Sequence, residues 1–339
     1  MDKIRPFLDR PIDPKEARKL PASTIMELYY PLLDYLPHVA YRSMAELILF
    51  AIAIRSNRVF KDKHPAFVLF GRTMAFKTRF AYFISHMIGR PIEKTIHNMM
   101  LETRKSTIIR RDARGEIQYV SDVLSEPFVD FDEYLFADDQ VRHMLKVFID
   151  GRIKTPVENK TLTILCVPLI TTNPNKDAKR MTLKELLFID EPQIRRSVIL
   201  FADTLGLDDR WLIRYGEDLL NLAAQSKPIP LRNFRPPKKK IFTRDDKDAV
   251  FDIVEEYLHP EIFKSRYVDI DMLVQLAVGA MAYIPVPDKA LKRVLQNYFR
   301  IIASNGWIKP NKLQNLFGKS EANKIRRNIY RIFRNNPLF

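Results

Sequence analysis

One cysteine, Cys166, is all that 339 residues contain. It excludes an internal disulfide and any cysteine-built zinc site, and it fits a reducing compartment. The six histidines are scattered and show no metal-ligand spacing. No apolar run is long enough to cross a bilayer: the most apolar stretch, MAELILFAIAI at 44–54, falls short of the roughly 20 residues required, and the amino terminus lacks the apolar run of a signal peptide. The expectation is a soluble, non-secreted, cytoplasmic protein with no membrane partner. Acidic residues are also in deficit. Fifty-six Lys and Arg stand against 41 Asp and Glu, a formal charge of +15, which favours a polyanionic partner and points to nucleic acid ahead of an acidic small molecule.

What is present is enough apolar residue, 46%, to bury a sizeable core in two or three domains. Residues 1–20 are charged and punctuated by proline, and apolar residues recur at helical spacing over 23–37 and 43–56. An alternating region follows: strand 66–70, helix 77–89, a hairpin over 106–120 around Arg114-Gly115, strand 127–131, helix 137–149, strand 161–172 and a strand at 197–202. Strands alternating with helices, the strands continuously apolar, predict an α/β fold with a mostly parallel sheet. This domain is placed at 38–204, after an arm with packing helices over 1–37. Helix 208–224 leads into SKPIPLRNFRPPKKK, a proline-rich basic linker read at 226–240. Helices are expected at 244–258, 269–283 and 287–304. The order helix, Asn305-Gly306 turn, short helix, turn, basic helix suits a winged-helix-like module over 286–339, and 205–285 is the intervening helical part.

Four strand ends carry candidate chemistry. GRTMAFKT places Gly71, Lys77 and Thr78 at the spacing G-x-x-x-x-G-K-[ST], with Phe76 where glycine is usual. Such a loop wraps a phosphate in backbone N–H groups, extends an ammonium to the terminal phosphates and sets a hydroxyl on Mg²⁺. PFVDFDEYLF ends in Asp132-Glu133, a carboxylate to hold Mg²⁺ through water beside one to polarise an attacking water. A register shifted by two would make Asp130 the magnesium residue instead. TILCVPLITTNPN delivers Asn173, an amide able to orient that water. EPQIRRSVILFAD sets Arg195 and Arg196 ahead of the last strand, where an arginine can reach a neighbouring subunit's phosphates.

Taken in order, these stretches resemble the AAA+ ATPases, and within them the minichromosome maintenance (MCM) helicase motor. That family writes its phosphate loop with alanine before the lysine, so Phe76 is a bulkier departure. LITTNP is similar to its sensor strand ending AAANP. IIRRDARGEI at 108–117, with Arg110 and Arg111, looks like its helix-2 insert, and FIDGRIKTPVENKTL at 148–162 looks like the presensor hairpin with a channel lysine at Lys154, or at Lys160 in another drawing of the turn. DMLVQLAVGAMA at 271–282 is similar to part of the family's lid. The resemblance covers roughly 38–300, lacks the family's oligonucleotide-binding domain and aligns Val268 near the sensor-2 arginine.

It implies an AAA+ P-loop domain with a helical lid and a carboxy-terminal winged-helix-like module. ATP and Mg²⁺ are the expected cofactors. Gly71, Phe76, Lys77, Thr78 and Asp132 would bind them, with Thr78 and Asp132 on the metal. Glu133, Asn173 and Arg195 would be catalytic, the arginine lent by the next subunit. The implied partners are DNA, further copies of the chain in a ring or spiral, as a hexamer, and a separate replication protein. DNA contacts would come from Lys154, Lys160, Arg110 and Arg111, and from Lys324, Arg326, Arg327 and Arg331 on the basic helix SEANKIRRNIYRIFR at 320–334. Two other functions stay open from the residues: a non-translocating DNA-bound scaffold with weak hydrolysis, and a protein-remodelling or inactive adaptor.

Overall fold

The computed structural model describes residues 33–55, 64–88, 90, 92–98, 109–111, 117–119, 126–136, 149, 152–154, 161–164, 166–173, 195–225, 248, 250 and 269–305. Helix α1, Val39–Arg55, carries apolar residues on every side and is buried almost throughout, as a helix of that composition must be. Strand β1, Ala66–Phe70, has all five residues buried, so the sheet is covered on both faces at its centre. Helix α2, Lys77–Met87, follows the loop. A single helical turn, α3 at Ile92–Thr95, leads into the short strand β2, Ile96–Asn98. Two three-residue strands, β3 at Ile109–Arg111 and β4 at Ile117–Tyr119, form the expected hairpin, with Arg110 opposite Gln118.

Strand β5, Phe128–Asp132, is followed by the 3₁₀ turn Tyr134–Phe136. Strands β6, Arg152–Lys154, and β7, Thr161–Thr163, make a second antiparallel pair, and β8, Val167–Thr172, returns to the main sheet. The sequence suggested one strand over 161–172. The chain instead spends its first three residues there on the hairpin with β6, and only Val167–Thr172 aligns with β1 and β5. Strand β9, Ser197–Phe201, precedes the 3₁₀ turn Ala202–Leu205, and the helices α4, Asp209–Gln225, α5, Ile270–Ala280, and α6, Pro287–Ser304, follow.

The five-stranded sheet runs β2-β5-β8-β1-β9, with every neighbouring pair parallel. Parallel strands all end at one edge, so the residues following β1, β5, β8 and β9 gather there. Helix α1 packs against β8, β9, α5 and α6. Its Glu46, fully buried, takes hydrogen bonds from Arg293 Nε and Asn297 Nδ2 of α6, each at 2.8 Å, so the charge is paired where water cannot reach it. Gly279 of α5 lies so close to α1 that a Cβ there would stand 2.2 Å from the Phe50 carbonyl oxygen. Asn305, just after α6, accepts the Phe201 N–H and donates to the Ile199 carbonyl of β9. Residues 287–305, which the sequence set beyond a boundary at 285, are thus bonded to the first helix and the last strand of the α/β body. The linker at 226–240, the helix at 320–334 and nearly all of 1–37 lie outside the described residues.

Candidate functional site

The loop Gly71–Phe76 joins β1 to α2 at the edge where the parallel strands end. Gly71 N–H bonds the Thr172 carbonyl at 3.3 Å, carrying the β1–β8 pairing one residue past the strand. The loop then bends through two left-handed residues, Met74 at φ 70° and Phe76 at φ 64°. For a bulky side chain that conformation is costly, and it persists only where the surroundings fix it. For Phe76 they do so closely. Its ring is 4% exposed and meets the Tyr41 ring edge-on, centroids 5.4 Å apart. Gly216 of α4 leaves space for it: a Cβ there would come 3.3 Å from Phe76 Cε2. The Tyr41 hydroxyl donates to the Ala75 carbonyl at 2.5 Å. Phe76 therefore takes the backbone conformation that glycine usually supplies, and its ring is packed between α1 and α4.

Lys77, the first residue of α2, is 7% exposed. Its ammonium makes three hydrogen bonds, to the carbonyls of Gly71 and Arg72 at 2.7 Å each and to Asn173 Oδ1 at 2.8 Å, which uses all three of its protons. Burial lowers its pKa, opposed chiefly by the negative charges of Asp132, Asp203 and Glu133. Asn173, one residue beyond β8, also extends Nδ2 to Glu133 Oε1 at 3.5 Å. Glu133 is left-handed too, at φ 59°, and its N–H reaches Asp132 Oδ1 at 3.1 Å. Burial, then the neighbouring Asp132, raises the Glu133 pKa, with Lys77 opposing. The three non-glycine residues with positive φ among the described residues all lie at this site, a concentration of backbone strain of the kind that marks functional loops.

Asp130 lies inside β5, not at its end. It is fully buried and paired in register with Ile96 and Leu169, while the strand runs on to the partly exposed Asp132. The register shift that would make Asp130 the metal residue does not occur. Thr171 Oγ1 lies 3.0 Å from both Asp130 oxygens and 2.9 Å from Asp132 Oδ1. One hydroxyl has one proton to give, so both contacts are satisfied when Asp130 is a neutral acid donating to Thr171, which in turn donates to Asp132. Burial and the adjacent Asp132 charge push the Asp130 pKa in that direction.

Among the described residues no group of three or more His, Cys, Asp or Glu side chains is arranged to hold a metal ion. A magnesium ion bound with a triphosphate needs fewer protein ligands, because phosphate oxygens and water complete its shell. Asp132 and Thr78, at the strand end and in the first turn of α2, are the residues that fit that role. The hydrogen bonds that Asp132 accepts from Glu133 and Thr171 both fall on Oδ1, leaving Oδ2 for a cation.

Gly71, Lys77, Asp132, Glu133 and Asn173 are thus linked in one chain of contacts, with Thr78 and Phe76 beside it. Arg195 is elsewhere. It precedes β9, at the opposite end of a strand about 17 Å long from the edge that carries Lys77. Arg196 beside it pairs with Asp269, the N-cap of α5, at 3.4 Å. Arg110, Arg111 and Lys154 lie on the two hairpins outside the five-stranded sheet. Lys160, Lys324, Arg326, Arg327 and Arg331 lie outside the described residues. Three contributors were not singled out from the sequence: Tyr41, Thr171 and Asp203. Asp203 follows the end of β9 by two residues at the loop's edge of the sheet, where Glu133 and Asn173 follow the ends of their strands by one.

No protein-family profile and no curated protein sequence matches the chain. Among solved structures it is similar to a full-length MCM homolog from Methanopyrus kandleri, with 15% sequence identity and a TM-score of 0.48, over 90% of this chain and 62% of that one. The chain therefore spans less than two thirds of that protein's length. No helix among the described residues is long and apolar enough to cross a membrane.

Proposed function

We propose that the chain is an MCM-like AAA+ ATPase that binds DNA and uses ATP to translocate along it or unwind it during replication of a plasmid, virus or archaeal-type element. The observation that carries this reading is the contact chain from the phosphate-loop carbonyls through Lys77 and Asn173 to Glu133, assembled at the carboxy-terminal edge of adjacent parallel strands. In it a cation for phosphate, a carboxylate for water and an amide between them are already within reach of one another.

A triphosphate entering the loop would draw Lys77 away from Gly71, Arg72 and Asn173 onto its terminal phosphates. Asp132 and Thr78 would hold magnesium, which neutralises phosphate charge when bound. Glu133, its pKa raised by burial and by Asp132, would take up the attacking water, with Asn173 released to orient it. Arg195, too far from its own loop, would serve the site of an adjoining subunit. Lys154 or Lys160, with Arg110 and Arg111, would meet the DNA backbone, and the basic segment 320–334 would add contacts that position the chain without reading bases.

A second reading, a non-translocating DNA-bound scaffold with weak hydrolysis, is favoured by one specific observation. All three Lys77 protons are satisfied within the protein, so phosphate must replace three good hydrogen bonds. Calorimetry with Mg-ATP, and ATP turnover with and without DNA, test both. Lys77→Ala is expected to abolish nucleotide binding. Glu133→Gln is expected to bind ATP while hydrolysis falls on the order of 100-fold or more, the usual scale of a lost general base. DNA-stimulated turnover and unwinding by the unmodified chain support the motor, assembly on DNA with negligible turnover supports the scaffold, and absence of any Mg-ATP binding overturns both.

A further inference from the structure

Backbone N–H groups in a phosphate loop bind an anion because nothing else satisfies them. One of the loop's N–H groups here is held by a charged side chain. The Arg72 N–H points at the Asp203 carboxylate, 3.0 Å from Oδ1 and 3.2 Å from Oδ2. The Arg72 guanidinium adds a looser contact, Nε to Asp203 Oδ1 at 3.8 Å, and its Nη2 lies 2.9 Å from Asp209 Oδ1 at the start of α4. The turn bearing Asp203 is pressed against the loop: a Cβ on Gly71 would fall 2.8 Å from Ala202 Cβ and 3.6 Å from Asp203 Oδ1. The same carboxylate acts electrostatically on Lys77, alongside Asp132 and Glu133. A negative charge thus stands at the Arg72 N–H, beside the lysine that is to receive phosphate.

We propose that Asp203 is an internal anionic competitor of the phosphate loop, holding it in a phosphate-excluding arrangement and setting the site's affinity for polyphosphates. This rests on the reading of the loop as a nucleotide site. A phosphate drawn to Lys77 must approach the Asp203 carboxylate, which competes with it for the Lys77 charge. Removing the charge while keeping an acceptor for the N–H weakens the competition without removing the contact. At the effective dielectric of a protein surface, one unit charge at such range is worth about tenfold in affinity for a multiply charged anion.

The test is calorimetry of the full chain with Mg-ATP and with inorganic pyrophosphate, for the unmodified protein, Asp203→Asn, Asp203→Ser, Asp209→Asn and Lys77→Ala, with a thermal melt of each variant. Asp209→Asn removes the same charge nearby but leaves the Arg72 N–H bond to Asp203 in place. The expected result is affinity about tenfold tighter in Asp203→Asn, tighter also in Asp203→Ser, and changed less than about twofold in Asp209→Asn. Binding that appears only in the Asp203 variants supports the proposal equally. Unchanged or weaker affinity in both Asp203 variants overturns it and leaves the nucleotide site standing, as does an equal gain in Asp209→Asn, which would mark a general charge effect. Lower melting temperature together with lower affinity in both Asp203 variants overturns it in favour of a purely structural acid. Persistence of the heat in Lys77→Ala, or no heat in any protein, overturns the nucleotide site itself and the proposal with it.

Discussion

Burial, then the neighbouring charge of Asp132, raises the Asp130 pKa, so the folded chain holds the Asp130 proton more tightly than the unfolded chain does. The sign of the pH effect follows. An unfolded chain gives up this proton in the ordinary carboxylate range, whereas the folded protein keeps it to higher pH. Between those two points the folded state binds more protons, so Asp130 lowers stability as pH rises through the window. Asp130→Asn carries no proton to lose and preserves a donor to Thr171. Urea unfolding of the two proteins from acid to neutral pH is expected to show the variant gaining on the parent as pH rises. A parallel pair of profiles would mean that Asp130 binds its proton no more tightly folded than unfolded. Phe76 belongs to the same scale: its left-handed backbone is offset by burial of the ring against Tyr41 and by the space at Gly216.

Among the elements, α1 and α5 approach so closely that only a residue without a side chain fits at Gly279. Gly279→Ala is expected to destabilise the fold by about 3 kcal/mol, the upper part of the usual range for overfilling a packed interior, against the slight gain an alanine brings to an exposed helix. Chemical denaturation measures it, and a loss under about 1 kcal/mol would mean that the two helices separate readily. Much at this scale was legible in the sequence. Strands β1, β5, β8 and β9 are apolar runs, and each ends near a residue of distinct chemistry, so the apolar pattern sets Asp132, Glu133 and Asn173 at strand ends and Lys77 at the head of the helix that follows β1. The three-residue β2, Ile-His-Asn, carries no such signal. Neither does the slot for Phe76, which depends on Tyr41 and Gly216 far away in the chain. The split of 161–172 was hidden because both pieces are β-forming and only pairing tells them apart. Asp203 follows a recognisable strand, yet an acid after a strand has no motif, and its bond to Arg72 is a product of the fold.

For the whole molecule, the separation of Arg195 from its own loop means that the proposed catalysis needs two copies of the chain to complete each site. Lys77→Ala and Arg195→Ala are each expected to be inactive alone. Mixed in equal amounts they should regain about a quarter of the parent's ATP turnover, the share of interfaces that join one intact face to the other in a randomly mixed closed assembly. No recovery on mixing would mean that Arg195 does not complete a neighbouring copy's site. The Asn305 amide has a further consequence for how such copies meet. By capping Ile199 and Phe201 it occupies backbone groups that a foreign segment would use to extend the sheet, so this margin of β9 is closed to strand addition. In the proposed assembly a neighbouring copy would meet this margin through side chains and helices, contacts that can slide or open without unzipping a shared ladder.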